Sequence, residues 1–474
     1  MTTSYIPPEL IDAILTYLQP SPCIDDTEGT PYEEYQVLKT DLQACSLVCR
    51  AWRGLTLLHL FHDVRVSYQL AGDPFTLPSK TLTGRFHPRS GRPRTLANFY
   101  LFLIHSPHIR VYIRKLRLVF APPVKRGSVN WPSWSTEDYP TGRLLLGLLD
   151  STLLPQLSHL ELRDVYLQPL LQYSETIRGR RKVVRLKELR LWCQLIHVVN
   201  LPDISDLLSL FGDVVRLHLC GYPSIQPGHD RCRFDNSSLR TFRPESITVN
   251  DPTCYGPLLL KMSSSPSIMS IDGLVVSVGA SQKVCWHSGM SQLVEAVGPQ
   301  LKHFSCVHML HLVNHHILGL SRCPNIETLT FYLNIYDEQW YWPNYRRWEA
   351  IHHFLSSLAG CHEQFSRLRK IVLSITSRDR LLTCNHIFNP QVRDLSLIVD
   401  VETLLVQLVQ ARSTQQRQRL ARITGTTVPY VSPLVLSIVP QSSGGQHIAS
   451  FGDAQQRSFR RAFPILSKMG AVEW

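Results

Sequence analysis

No apolar run in the 474-residue chain approaches the length of a bilayer span, which sets aside a transmembrane helix. The first residues, MTTSYIPPEL, lack the charged-then-apolar order of a secretory signal, so a cytoplasmic or nuclear location is expected. The 12 cysteines include no CxxC pair and several fall in apolar stretches, so they read as reduced, buried small hydrophobes. Catalytic signatures are missing too. There is no GxSxG elbow, no GxxxxGK phosphate loop and no dinucleotide fingerprint. The expectation is a non-enzyme with no catalytic residue and no cofactor.

What is present is an ordinary globular composition, 44% hydrophobic and 18% charged, which argues against global disorder. A net charge of +12 permits acidic partners without naming one. No recognisable nucleic-acid motif accompanies it, which disfavours that class of partner. The stretch HFSCVHMLHLVNHH sets His308, His311 and His315 at helical spacing with Cys306 nearby. Imidazole and thiolate suit zinc, but no acidic general base lies between the histidines, and Cys306 falls in a strand-like segment. Histidines on a solvated segment explain the same letters, and no metal is expected.

The first sixty residues carry the most specific pattern. In IPPELIDAILTYL, Pro7 and Pro8 suit the first turn of a helix and Glu9 its positive end. Leu10, Ile11, Ile14, Leu15 and Leu18 recur at one-turn spacing, and Pro20 closes the helix. In DLQACSLVCRAWRGL, Asp41 can cap, and Leu42, Cys45, Val48, Cys49 and Trp52 line one face. Two short amphipathic helices cannot bury both stripes against each other, so part of this surface should meet a partner. A plain helical hairpin opening a globular domain is the alternative.

Ile6-Pro7, the aliphatic helix to Leu18 and Ser46-Leu47-Val48-Cys49-Arg50-Ala51-Trp52 resemble an F-box. The match spans about an eighth of the chain. It departs from the family at Ile6, where leucine is usual, and in the long break from Gln19 to Thr40, which carries Asp25, Asp26, Glu28, Glu33 and Glu34. The resemblance implies docking to the Skp adaptor subunit, and through it to a cullin. The residues it implies for this are Pro7, Leu10, Ile14, Leu15, Leu18, Cys45, Val48, Cys49 and Trp52.

Beyond a Pro-, Gly- and Thr-rich stretch, Ala71 to Arg94, an apolar-x-x-apolar-x-apolar skeleton recurs. Examples are IRKLRL, LSHLEL, LKELRL, VVRLHL, IETLTF and LRKIVL. The middle apolar residues are 116, 160, 189, 217, 242, 271, 304, 329, 371 and 395, mostly 24 to 33 apart with two longer intervals of 44 and 42. One strand and one return segment cannot bury an apolar edge alone, whereas stacked units share a core. The pattern resembles the leucine-rich-repeat tail of many F-box proteins, although only Asn334 falls at the usual Asn position. An unrelated α/β domain with parallel strands is the other reading.

The expected fold is therefore α/β: a helical F-box (1–66), a linker or loop (67–97), an irregular leucine-rich-repeat-like solenoid of strands and helices (98–402), and a C-terminal cap and tail (403–474). Strand positions alternating with the core would face the concave side: Lys115, Arg117, Glu161, Arg163, Glu188, Arg190, Arg216 and His218, then Thr328, Thr330, Val372 and Ser374. That face should be basic in its first half and neutral in its second. Stacked arginines there can hold a carboxylate or phosphate of a target, with Arg117, Arg163, Arg190 and Arg216 as candidates. The two long intervals carry inserts with Trp131, Trp134, Tyr139, Trp340, Tyr341, Trp342, Tyr345 and Trp348. Trp340 and Trp342 are candidate target clamps, unless these rings fill gaps in the core. The expected function is that of a substrate adaptor for a Skp–cullin–F-box ubiquitin ligase, holding an unidentified target protein. A leucine-rich-repeat scaffold outside the ubiquitin system is the alternative.

Overall fold

The computed structural model describes residues 7–17, 40–68, 96–120, 145–163, 184–193, 201–221, 239–250, 255–277, 288–307, 320–334, 349–356, 365–377, 393–424, 434–442 and 456–473, with gaps of one or two residues in several of these segments. The chain forms two compact units, one running to Pro244 and one from Glu245.

In the first unit, helix α1 (Pro8–Tyr17) opens with backbone N–H groups of Leu10 and Ile11 donating to Pro7 O, as a proline-led first turn allows. Helices α2 (Thr40–Cys45) and α3 (Arg50–His62) follow, and both α1 and α2 pack on α3. Their shared core is Ile11, Leu15 and Leu42, ringed by Cys45, Trp52, Leu55 and Leu60. His59 in α3 and Asp12 in α1 are joined by an Nε2–Oδ1 contact of 2.8 Å across that core.

No residue separates α3 from strand β1 (Asp63–Tyr68). Strands β2 (Lys115–Phe120), β3 (His159–Arg163), β4 (Val184–Cys193) and β5 (Phe211–Gly221) then add in sequence order, every pair parallel. Leu116, Leu160, Leu189 and Leu217 stand side by side, as do Leu118, Leu162, Leu191 and Leu219. All eight are buried. Each is worth roughly 1.5–3 kcal/mol on burial, so these two rows account for the recurring Leu-x-Leu of the sequence. Just before β2 and β3 the backbone already bridges, with Arg114 N donating to His62 O and Ser158 N to Arg114 O, and within β4 Lys187 N donates to Ser158 O. Helix α4 (Leu96–His105) and the short α5 (Pro107–Arg110) precede β2, and α6 (Leu201–Leu208) precedes β5. At the end of β5, Gly221 has φ +83, and a Cβ there would sit 2.1 Å from Cys193 O.

The second unit repeats the scheme with β6 (Arg243–Asn250), β7 (Gly273–Ser277), β8 (His303–Val307), β9 (Thr328–Asn334), β10 (Lys370–Ser377), β11 (Val435–Ser442) and the two-residue β12 (Val472–Glu473), parallel at every step. Helices α7 (Gly256–Ser263) and α8 (Ser288–Val297) pack together closely. A Cβ on Gly289 would meet Gly256 O at 2.1 Å. A 32-residue helix, α9 (Arg393–Thr424), precedes β11, and α10 (Pro464–Lys468) precedes β12.

The architecture is the expected α/β succession of helices and parallel strands, with corrections in detail. The row of strands begins inside the segment assigned to the F-box, because β1 starts at Asp63, and Leu96 already lies in a helix. It continues past residue 402 into the segment assigned to the cap, because β11 pairs with β10. Leu395 marks no strand: it lies in α9, where Ile398, Val401, Leu405, Leu408 and Val409 are buried at helical spacing. Phe242 and Ile271 are buried residues that precede β6 and β7 rather than lying in them.

Candidate functional site

Two surfaces of the first unit stand out, and the first lies on α1–α3. Packing on α3 turns Ile11, Leu15 and Leu42 inward and leaves Leu10 53%, Ile14 38%, Leu47 86% and Val48 64% exposed. Pro7 and Cys49 are exposed, and Cys45 and Trp52 half-buried. Leu47 and Val48 sit in a turn whose backbone N–H groups donate to Ala44 O and Cys45 O, so the chain itself presents them outward. Leu15, expected to touch the partner, is fully buried and instead holds the helices together. Leu47 was not among the expected contact residues. Leu18 lies outside the described residues.

The second surface is the sheet face opposite the leucine rows. Strand register builds two ladders across β1–β5: Asp63, Lys115, His159, Glu188 and Arg216 in one, and Arg65, Arg117, Glu161, Arg190 and His218 in the next. In a third row Arg163 stands opposite Trp192, its guanidinium 5.3 Å from the ring centroid. Arg117, Arg163, Arg190 and Arg216 therefore do share one face, as expected. The face is not simply basic, however. Arg117 Nη2 donates to Asp63 Oδ2 at 3.0 Å and its Nε lies 3.9 Å from Glu161. Arg190 Nε donates to Glu188 Oε1, and His218 Nε2 is 3.5 Å from the same oxygen. Arg65, Asp63 and Trp192 belong to this site as well. A strand beginning right after α3 was the signal for the first two, and alternation along β4 for Trp192.

Burial pushes the Glu188 carboxyl up, but the charge and hydrogen bond of Arg190, with His218 and His159 beside it, outweigh that and hold it below its ordinary value. His62 and His159 are both pushed below 6.5, first by burial and next by the Lys115 ammonium. Lowered histidine values make the unfolded chain the first to bind protons as pH falls below 6.5. Stability contributed by these groups is complete above 6.5 and is lost on acidification until the folded-state values are passed. We expect the melting temperature to drop between pH 7.5 and 5.5, and His62→Gln/His159→Gln to shrink that drop. An unchanged pH dependence in thermal melts of the double variant would refute the assignment.

In the second unit the corresponding face carries Thr248, Val275, Ser305, Thr330, Val372 and Ser437 in one row. Ser246, Gly273, His303, Thr328, Lys370 and Val435 stand in the next row and Ser374 in a third. It is rich in hydroxyls. Cys306 points into the core, where burial drives its thiol up to about 12, so it offers no thiolate. Among the described residues, no group of three or more His, Cys, Asp or Glu is placed to hold a metal ion. His308, His311, His315, Trp340, Trp342 and the other insert aromatics, Trp131, Trp134, Tyr139, Tyr341, Tyr345 and Trp348, lie outside the described residues.

No protein-family model matches the chain, and the search of curated proteins returned no match. Among solved structures, the leucine-rich repeat-containing protein LegL7 from Legionella pneumophila is similar, with 10% identity and a TM-score of 0.38, over 84% of this chain and 98% of that one. The parallel pairing of successive strands itself shows the repeating α/β architecture.

Proposed function

We propose that the protein is a non-enzymatic adaptor: α1–α3 dock the Skp subunit of a Skp–cullin–F-box ubiquitin ligase, and the sheet face of the repeats holds a target protein. The observation that carries this is the exposure of five apolar residues, Pro7, Leu10, Ile14, Leu47 and Val48. They lie on α1, just ahead of it and in the turn between α2 and α3, and the inward residues of these helices are already satisfied by their own core. Fully burying each of the large side chains among them yields roughly 1.5–3 kcal/mol, enough for four of them to sustain a specific interface. The order of residues from Ser46 to Trp52, which resembles an F-box, points to the Skp subunit rather than to any apolar partner. Target modification would then rise through effective concentration at a ligase centre supplied by other subunits. Among the described residues no helix is long and apolar enough to cross a membrane, and a role in the cytosol or nucleus fits the reading.

Size-exclusion chromatography of the full chain mixed with purified Skp subunit tests it. A co-eluting complex is expected, and Val48→Asp should reduce it at least tenfold with unchanged melting. Two separate peaks for the wild-type mixture would overturn the adaptor reading and leave a repeat scaffold of another kind.

A further inference from the structure

We propose that the face of β1–β5 docks an extended, acidic segment of the target protein that carries two carboxylates about five residues apart, one met by Arg65 and the other by Trp192. This deepens the adaptor reading and rests on it for the existence of a target.

Charge is the first ground. The ladders hold six cations (Arg65, Lys115, Arg117, Arg163, Arg190 and Arg216) and three carboxylates (Asp63, Glu161 and Glu188). Arg117 and Arg190 are engaged by those carboxylates. The other four cations, Arg65 on β1, Lys115 on β2, Arg163 on β3 and Arg216 on β5, spread the surplus positive charge from one border of the face to the other. Arg65 also stands directly opposite Arg117, a like-charge pairing that an incoming anion relieves.

Hydrogen bonding is the second ground. Among the described residues, Arg65 Nε and Trp192 Nε1 are buried and meet no acceptor. Both are donors, so the group missing from each is an acceptor. A covered donor without a partner destabilises the unbound chain, and a carboxylate that reaches it removes that cost. Because both nitrogens are covered, the two side chains must lift off the sheet as the segment arrives. Beside Trp192, Arg163 supplies the countercharge for the second carboxylate.

Spacing fixes the form of the ligand. Arg65 and Trp192 are three strands apart, about 14 Å, and offset by two residues, about 7 Å, so about 16 Å separates them. An extended chain covers that in roughly five residues at about 3.3 Å each. Glu161 and Glu188 occupy the middle of the face. A segment with neutral residues between its two acids passes over them, whereas a nucleic acid brings a charge at every nucleotide and meets them.

Fluorescence anisotropy on the full chain tests this, with a labelled Gly/Ser/Thr peptide bearing two Glu five residues apart as the probe. The Glu probe should bind at least tenfold more tightly than its Gln counterpart. Arg65→Met and Trp192→Phe, which keep stem and ring respectively, should each weaken it three- to tenfold with unchanged melting. Arg322→Gln, an exposed arginine of the second unit, should not. Equal binding of Glu and Gln probes, no binding of either at millimolar concentration, or equal losses from Arg322→Gln and Arg65→Met would overturn the proposal. So would tighter binding of oligothymidine, or capture of a phosphoserine probe alone. A chain that binds the Skp subunit but not the probe sinks this inference only. One that binds the probe but never the Skp subunit sinks the adaptor reading.

Discussion

Leu15→Asp is expected to melt the N-terminal helices, whereas Leu10→Asp, five residues earlier in α1, should leave them folded and remove the partner. Leu15 is fully buried against Ile11 and Leu42, with Trp52, Leu55 and Leu60 around them. Truncating such a leucine typically costs about 2–5 kcal/mol, and placing a carboxylate there adds a further desolvation penalty. Leu10 is more than half exposed, so Asp at that position meets water and the fold loses little. In a complex, however, the same Asp would be forced against an apolar partner surface. A leucine anchor is worth roughly 1.5–3 kcal/mol, so at least a tenfold loss of Skp affinity follows. Circular dichroism melts and calorimetric titration of the two variants decide the matter. If both lose binding with unchanged melting, the assignment of Leu15 to the core is wrong.

Glu402→Ala should detach the end of the chain. Glu402 in α9 is buried, and its Oε1 accepts from Ile465 N at 2.6 Å and Leu466 N at 3.0 Å, the first N–H groups of α10. Hydrogen bonds to a charged group contribute about 1.5–3 kcal/mol each, and alanine leaves both donors without that acceptor. Since α10 leads into β12, which covers β11, a fall of several degrees in melting temperature should be joined by rapid amide exchange at Val472 and Leu436. Glu402→Gln keeps the accepting oxygen and should recover much of the loss. Slow exchange at Leu436 in the alanine variant would show that α10 is held by other contacts. An uncovered β11 would also present an open strand edge, so the alanine variant should aggregate more readily.

The two helical stripes and the central strands were legible in the sequence because each rests on a local rule. One-turn spacing put Leu10, Ile11, Ile14 and Leu15 on a helix, and Leu-x-Leu marked β2 to β5. Local rules do not say which side of a stripe meets α3, so Leu10 and Leu15 looked alike until the packing separated them. Likewise Leu395 kept the letter pattern of a strand, but the buried residues that follow it in α9 continue at helical spacing. The strand β12 is two residues long and has no readable period. On the sheet face, alternation along each strand identified the cations. Their pairing with Asp63, Glu161 and Glu188 depends on register across strands that return loops of unequal length set, and no single strand carries that information.

The direct passage from α3 into β1 has a mechanical consequence. The last turn of the N-terminal helices and the first rung of the charged ladder share a backbone, and His62 O is already tied to Arg114 N ahead of β2. A cargo held on that ladder would therefore ride on a stiff arm rather than a tether, at a set distance and angle from whatever grips Leu10 and Val48. Which of its lysines come within reach of a transferring enzyme would then be a matter of geometry. Moving the cargo along the ladder by one rung, about 5 Å, would present a different set.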